Sequence, residues 1–460
     1  MRKEGLKLLS RSSEIANKVF PEQKLFLIWS CAVFFVTMNS TMFNVSLPSV
    51  QEDLSISISH ASWIISGYSM VLAISTLTFS RLSEFVPTLK LLILGVMLLG
   101  TGSFLGFFSY HFIFVLITRL IQAIGAGSII SLSIVVATRY VPITRRGRAL
   151  VLISSSAVLG LGLGPVIGGV IDQFLGWNFL FLVTALVIFF IPIFVKLLPK
   201  EEHVTVKFDS VGCMTTTISL ISLMIFFTTF HVIFLFLFLV FIILTSKHFY
   251  RTKNPFIKSE LLKSKQYRNL LYINFIAYFV YFSGLFILPY ILNDIFQLKS
   301  SEIGLLVFPG AILSALAAKM IGQLIDRFGN SPIIWISQVL FIISTLMFIF
   351  LATISPIFIL FSYLFLSPGF SALSTSVRNE VSRILHVDEV GTGMGIIQLI
   401  QFFGGSFGVT ISGTVLAIQE GFSPVFMYRN VYIILIVLFC TSVWVFFLYQ
   451  RKLKICIREQ

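Results

Sequence analysis

Acidic side chains are scarce. The 460-residue chain carries 19 Asp and Glu against 33 Lys and Arg. Each acid falls in a tail, in a loop or near the end of an apolar segment, with Glu380 the most embedded, and the six His are equally peripheral. No carboxylate or imidazole in the middle of an apolar segment is therefore on hand as a proton relay. Four cysteines, Cys31, Cys213, Cys440 and Cys456, are scattered. Their spacing forms neither a disulfide framework nor a metal site, and they read as small apolar filler. A Walker loop is missing, so ATP is not the fuel. Paired acids, a nucleophile elbow and a metal cluster are missing too, which leaves no enzyme signature and no cofactor to expect. The first residues, "MRKEGLKLLSRSSEIANKVF", lack the continuous apolar run and small-residue cleavage site of a signal peptide.

What is abundant is apolar surface. The chain is 57% hydrophobic with 50 Phe and a mean hydropathy of +0.97, more than one soluble core can hide. A spanning helix needs about 20 apolar residues, and the hydrophobic runs predict fourteen, an all-α membrane protein. Segments 210–228 and 230–246 are the hardest to separate, because "FFTTFHVIFLF" offers almost no turn signal. The net charge of +14 suggests nucleic acid until the basic residues are placed. With helices laid out alternately, all but Lys299, Arg429 and Arg119 fall on one side. That is the positive-inside pattern, with both termini cytoplasmic, and it excludes a nucleic-acid partner.

The spans divide into two six-helix bundles, 25–196 and 269–450, with two inserted helices in 197–246 and a cytoplasmic linker at 247–268. An amphipathic N-terminus, 1–24, lies along the inner membrane surface, and 451–460 is a cytoplasmic tail. The linker contains a surface helix in "FIKSELLKSK". An internal echo supports two halves: "SRLSEFVPTLK" (80–90) follows the second helix and "GQLIDRFGNSP" (322–332) the tenth. Duplicated bundles around a central site are a transporter architecture.

Several polar positions are candidates for that site. In "VTMNSTMFNVSLP", Thr37, Ser40, Thr41 and Asn44 share one helical face without a charge. Arg119 is the intramembrane cation, costing about 2.5–3.5 kcal/mol at a helix centre, so it should face protein or water. Gln122 lies one turn on. Asn274, Tyr278 and Tyr281 share a face of the ninth helix, and Gln398 and Gln401 lie one turn apart in the thirteenth. Each also serves as an ordinary interhelical hydrogen-bond group. Together, in a Phe-rich interior, they suit an amphipathic organic ligand. In "GLGLGPVIGG" (160–169), Gly160, Gly164 and Gly168 recur every four residues, with Pro165 and Gly169 beside them. The stripe is either plain small-residue helix contact or a seam on which the two halves rock. "GGSFGVTISG" (404–413) repeats its chemistry. Glu84, Asp326, Arg327 and Glu380 are placed to act as a cytoplasmic gate or in proton coupling.

These residues carry a resemblance. "NVSLP" (44–48), "SWIISGYSMVLAISTLTFSRLSE" (62–84), "RLIQAIGAG" (119–127), "RGRALVLISSSAVLGLGLGPVIGG" (146–169), "NPFI" (254–257), "EIGLLVFPG" (302–310) and "VGTGMGIIQLIQFFGG" (390–405) resemble, in order, the fourteen-helix drug:proton antiporters of the major facilitator superfamily. The nearest likeness is to Gram-positive tetracycline and multidrug efflux proteins. The resemblance implies a monomeric multi-pass exporter of the bacterial cytoplasmic membrane, surrounded by lipid. It would remove amphipathic drugs or antibiotics by alternating access with inward protons. The departures are pointed. Where that group has carboxylates in helices one, five and thirteen, this sequence has Ser40, Leu161 and Gly405; the loop Asp is Glu84 and its leading Gly is Ser80. A site so neutral, with Arg119 beside it, suits a neutral, zwitterionic or anionic amphiphile better than a metal-chelated drug. The alternatives are a dedicated exporter or immunity transporter for one endogenous metabolite, lipid or peptide, not necessarily proton-coupled, and a non-transporting sensor.

Overall fold

The computed structural model describes residues 22–84, 86–198, 201, 209–252, 259–386 and 390–458. Among the described residues, fourteen helices are long and apolar enough to span a membrane: α1 (Glu22–Leu54), α2 (Ile58–Leu82), α3 (Thr88–Phe107), α4 (Phe112–Tyr140), α5 (Ile143–Leu175), α6 (Phe179–Leu197), α7 (Ser210–Thr229), α8 (Val232–Arg251), α9 (Lys265–Asp294), α10 (Ser300–Phe328), α11 (Asn330–Phe350), α12 (Pro356–Ile384), α13 (Val390–Ile418) and α14 (Pro424–Arg458). Hydrocarbon offers no partner for a free peptide group, so each span closes its own backbone hydrogen bonds. Helix starts are marked by short side chains that accept otherwise orphaned N–H groups: Ser57 from His60, Asp209 from Gly212 and Ser264 from Tyr267.

The boundary between α7 and α8 is made by a residue poorly suited to it. Phe230 takes φ 53° in the left-handed region, and its N–H closes on Phe226 O at 2.7 Å. That conformation usually falls to Gly or Asn, so the sequence carried no sign of it. The surface helix expected over "FIKSELLKSK" is corrected: its described part, Ser259–Lys263, is one short 3-10 segment, and its first residues lie outside the described residues, as does N-terminal segment 1–21.

Helices α1–α6 pack as one group, α1 on α5, α2 and α3 on α4, and α3 on α6. Helices α9–α14 form another, with α9 against α12, α13 and α14, and α12 against α10 and α11. The inserted pair α7–α8 lies outside both, α7 resting on α2 and α13. Two contacts chiefly join the groups, α5 with α10 and α2 with α13. Matching the groups helix by helix exchanges these two contacts, as the loop echo at 80–90 and 322–332 anticipates.

The glycine stripe does not form the seam between the groups. A Cβ on Gly160 would sit 2.1 Å from Thr37 Oγ1, on Gly164 1.9 Å from Thr41 Oγ1, and on Gly168 2.7 Å from Met42 Cα. All three partners belong to α1 of the same group, so the stripe lets α1 and α5 touch backbone to backbone. The seam uses another face of α5. Gly169 lies against Ser300 O (2.2 Å from its Cβ position), Gly162 against Ala311, and Pro165 O against Gly304. Helix α13 repeats the division: Gly404 and Gly408 approach the carbonyls of Phe275 and Phe279 in α9, whereas Gly413 meets Ser62 of α2.

Candidate functional site

The expected polar residues fall into separate networks. Arg119 is completely enclosed inside the first group, 0% exposed. Its Nη1 donates to Asn39 Oδ1 at 3.1 Å and Gln122 Oε1 at 3.0 Å. Its guanidinium carbon lies 4.1 Å from the centre of the Phe43 ring and 4.0 Å from that of Tyr68. Gln122 passes the chain on to Ser103 Oγ at 2.7 Å. The uncharged stripe of α1 serves its own group in part. Thr37 and Thr41 bond their hydroxyls to the preceding turn and present their outer surface to the α5 glycines. Ser40 is half-buried, and Asn44 is buried with no hydrogen bond to its side-chain oxygen.

In the second group the residues meet across α9, α12 and α13. Gln401 Nε2 reaches Asn274 Oδ1 at 3.5 Å, while Gln398 is half-buried one turn away. Tyr281 stacks face to face on Phe370, centroids 3.8 Å apart at 5°, and its hydroxyl lies 3.3 Å from that of Tyr363. Tyr278 meets Phe370 edge-on at 4.8 Å and lies near-parallel to Phe282. Tyr281, Phe282 and Phe370 are half-buried. Sequence reasoning missed Arg378, whose Nη2 donates to Tyr278 OH at 2.9 Å and Ser374 Oγ at 3.0 Å while the residue stays exposed. A signal was available: Ser374 and Arg378 are one turn apart, facing the α9 tyrosines.

A second missed residue is Asp172, near the end of α5 and 8% exposed. It accepts from Ser49 of α1 at 2.8 Å and, across the groups, from Ser300 of α10 at 2.5 Å. Ser301 donates to Gln173 beside it, and Ser406 of α13 donates to Ser66 O of α2 at 2.6 Å. Among the described residues, these side-chain hydrogen bonds between the groups leave the end that bears the chain termini without any. Asp172 stands three residues beyond Gly169, on the seam face of α5. Hydrogen bonds to a charged group contribute about 1.5–3 kcal/mol, so Asp172→Ala is expected to loosen this end by roughly 10–100-fold in population. A cysteine introduced in place of Val307, which is 2% exposed, should then react correspondingly faster with a membrane-impermeant maleimide.

The four expected gate residues divide. Glu84, just beyond the end of α2, is exposed and pairs with Arg81 in the last turn of that helix at 3.3 Å. Asp326 and Arg327 are exposed, and Arg327 lies over the neighbouring Phe328 ring. Glu380 is buried, taking hydrogen bonds from Asn330, Arg383 and Tyr449, each at 2.7 Å, and so ties α11, α12 and α14 together. None of the four bonds across the groups among the described residues. No cluster of metal-ligating side chains is present among them either.

The Major Facilitator Superfamily model matches residues 29–409 and 270–455. The riboflavin transporter RibZ of Clostridioides difficile (strain 630) is 25% identical over 414 residues, covering 88% of each chain. A bacterial homologue of the human lysosomal transporter Spinster, inward-facing and occupied, superposes with TM-score 0.68 at 14% identity, covering 95% of this chain and 98% of that one. A mutant of the peptide transporter POT in complex with alafosfalin gives TM-score 0.70 at 16% identity over 96% and 99%. The likeness to both solved structures is one of fold.

Proposed function

This chain belongs to the Major Facilitator Superfamily, and from that premise we propose that it is a secondary transporter dedicated to one planar, amphipathic organic metabolite. The observation that carries the reading is the aromatic wall of α9 and α12, in which half-buried Tyr281, Phe282 and Phe370 stand beside buried Tyr278 with hydroxyls and side-chain amides around them. Aromatic faces hold a flat ring by offset stacking, at about 0.5–1.5 kcal/mol per pair beyond the area covered. A carboxylate that would favour a cation or a chelated metal is missing from that wall. The relative named as a riboflavin transporter supports a flavin-like heteroaromatic as the first compound to try.

The seam supports alternating access. The groups are hydrogen-bonded at the end away from the termini, and among the described residues no side-chain hydrogen bond joins them at the other; with the termini in the cytoplasm, a state that parts at that unbonded end would admit solute from inside. Export is the direction this supports, with inward protons as the driving ion. Drug export is the second reading, favoured by the antiporter-like motif of α5.

The test is flux of purified full-length protein in liposomes under an imposed pH gradient, with riboflavin and a panel of unrelated amphiphiles including tetracycline. Saturable, gradient-dependent movement of one planar compound, without movement of the panel, is the expected result. Flux of many unrelated drugs would replace the dedicated reading by the multidrug one, and no flux of any compound would remove both.

A further inference from the structure

We propose that Arg378 is the substrate's anion subsite, so that the transported aromatic carries a negatively charged edge; the inference rests on the transporter reading and narrows its substrate class. The first argument is direction. Arg378 lies six residues before the end of α12 at Ile384, about 9 Å at 1.5 Å per residue. An arginine so close to a helix end ordinarily snorkels outward to the membrane surface. This one turns the opposite way, to the hydroxyl of Tyr278, which lies 13 residues into α9, about 20 Å from the same end. A guanidinium held inward yet exposed keeps donors free for a further partner.

The second argument is that the partners present are neutral. Tyr278 OH and Ser374 Oγ accept from one nitrogen, Nη2. No carboxylate pairs with Arg378 among the described residues. Four other basic residues at this end pair with acids: Arg383 with Glu380, Arg139 with Glu201, Arg145 with Glu22 and Arg81 with Glu84. Arg378 alone of these is charged, exposed, aimed inward and matched only to hydroxyls. Its planar fork suits a carboxylate, phosphate or deprotonated imide.

The third argument is adjacency. Tyr278, which fixes the guanidinium, is also the edge-on neighbour of Phe370, and Phe370 is the stacking partner of Tyr281. An aromatic solute lying on the half-buried rings thus has its edge within reach of the fork. Tyr278 is the joint between the apolar shelf and the charge.

The test uses the full-length protein in liposomes with riboflavin and flavin mononucleotide, which share a ring system and differ by a phosphate. In Arg378→Gln the ratio of kcat/KM for the mononucleotide over riboflavin is expected to fall about tenfold or more, and Arg378→Lys to recover part of it, because a point charge replaces a bidentate fork. An unchanged ratio overturns the proposal. Binding of fluorescein, a dianion with a planar xanthene ring, to the detergent-solubilised protein is read by anisotropy in parallel and needs no transport. If neither flavin moves, yet fluorescein binds and Arg378→Gln weakens it about tenfold, the flavin reading falls and the anion subsite stands. Absent fluorescein binding, or binding indifferent to Arg378→Gln with an unchanged melting temperature, sinks the subsite.

Discussion

Gly169→Leu is expected to abolish transport while leaving a folded protein in the membrane. The Cβ of any side chain there would sit 2.2 Å from Ser300 O and 2.8 Å from the Ser300 carbonyl carbon, and backbone on α10 cannot swing aside as a flexible side chain does. The clash exists only where the groups touch, so it is a penalty on one conformation and not on the fold. Overpacking ordinarily costs about 1–3 kcal/mol and more against backbone. A differential penalty of about 3 kcal/mol already shifts the two states by more than 100-fold. In a cysteine-free background, Val307→Cys should become freely reactive to impermeant maleimide when Gly169→Leu is added, while thermal stability holds within a few degrees. Gly164→Leu is the control that gives the argument its edge. Its Cβ would lie 1.9 Å from Thr41 Oγ1 and 2.9 Å from Met38 O, both in the same group, so it should lower stability without exposing the thiol introduced in place of Val307. If both variants melt early and neither changes labelling, the seam described between α5 and α10 is not a moving contact.

That contrast also shows where the sequence is informative. A bilayer imposes length and apolarity on each span, so the fourteen spans were legible in the sequence. The glycines of 160–169 were legible as a place of close approach. Which helix approaches was not, because a stripe at every fourth residue marks a flat face without naming what lies on it; Gly162 and Gly169 stand off that stripe and carry the contact with α10. Thr37 and Thr41 have the same ambiguity, since a hydroxyl on a helix face lines a cavity or seats a glycine with equal ease. Asp172 and Arg378 escaped for another reason. Each acts through a partner more than 90 residues distant, Ser300 for one and Tyr278 for the other; the one-turn spacing of Ser374 and Arg378 marks a polar face without naming the tyrosine it meets. Phe230 is the remaining kind of miss, a turn made by tertiary context against the preference of the residue.

Arg119→Ala is expected to cost the protein its first group instead of its affinity for substrate. The sequence suggested a cavity cation; the structure surrounds the side chain completely, between the faces of Phe43 and Tyr68 and against the amide oxygens of Asn39 and Gln122. Removing it strands both oxygens, at about 1–3 kcal/mol each. It also deletes two desolvated cation–π contacts, each worth up to about 2 kcal/mol, and leaves an arginine-sized void at the junction of α1, α2 and α4. These losses are not additive, yet even part of their sum approaches the whole stability of an ordinary domain, about 5–15 kcal/mol. The desolvation cost of the cation is recovered at the same time, which is why the net effect must be measured. Arg119→Ala should therefore reduce the yield of monodisperse protein from the membrane by an order of magnitude. Arg119→Lys, which keeps the charge but loses the flat guanidinium held between Phe43 and Tyr68, should fold with a melting temperature several degrees lower. The molecules of either variant that do fold should keep the wild-type KM, because the proposed solute site is the α9–α12 wall and not this enclosed cation. A raised KM in a variant of undiminished thermal stability would return Arg119 to the substrate path and move the binding site into the first group.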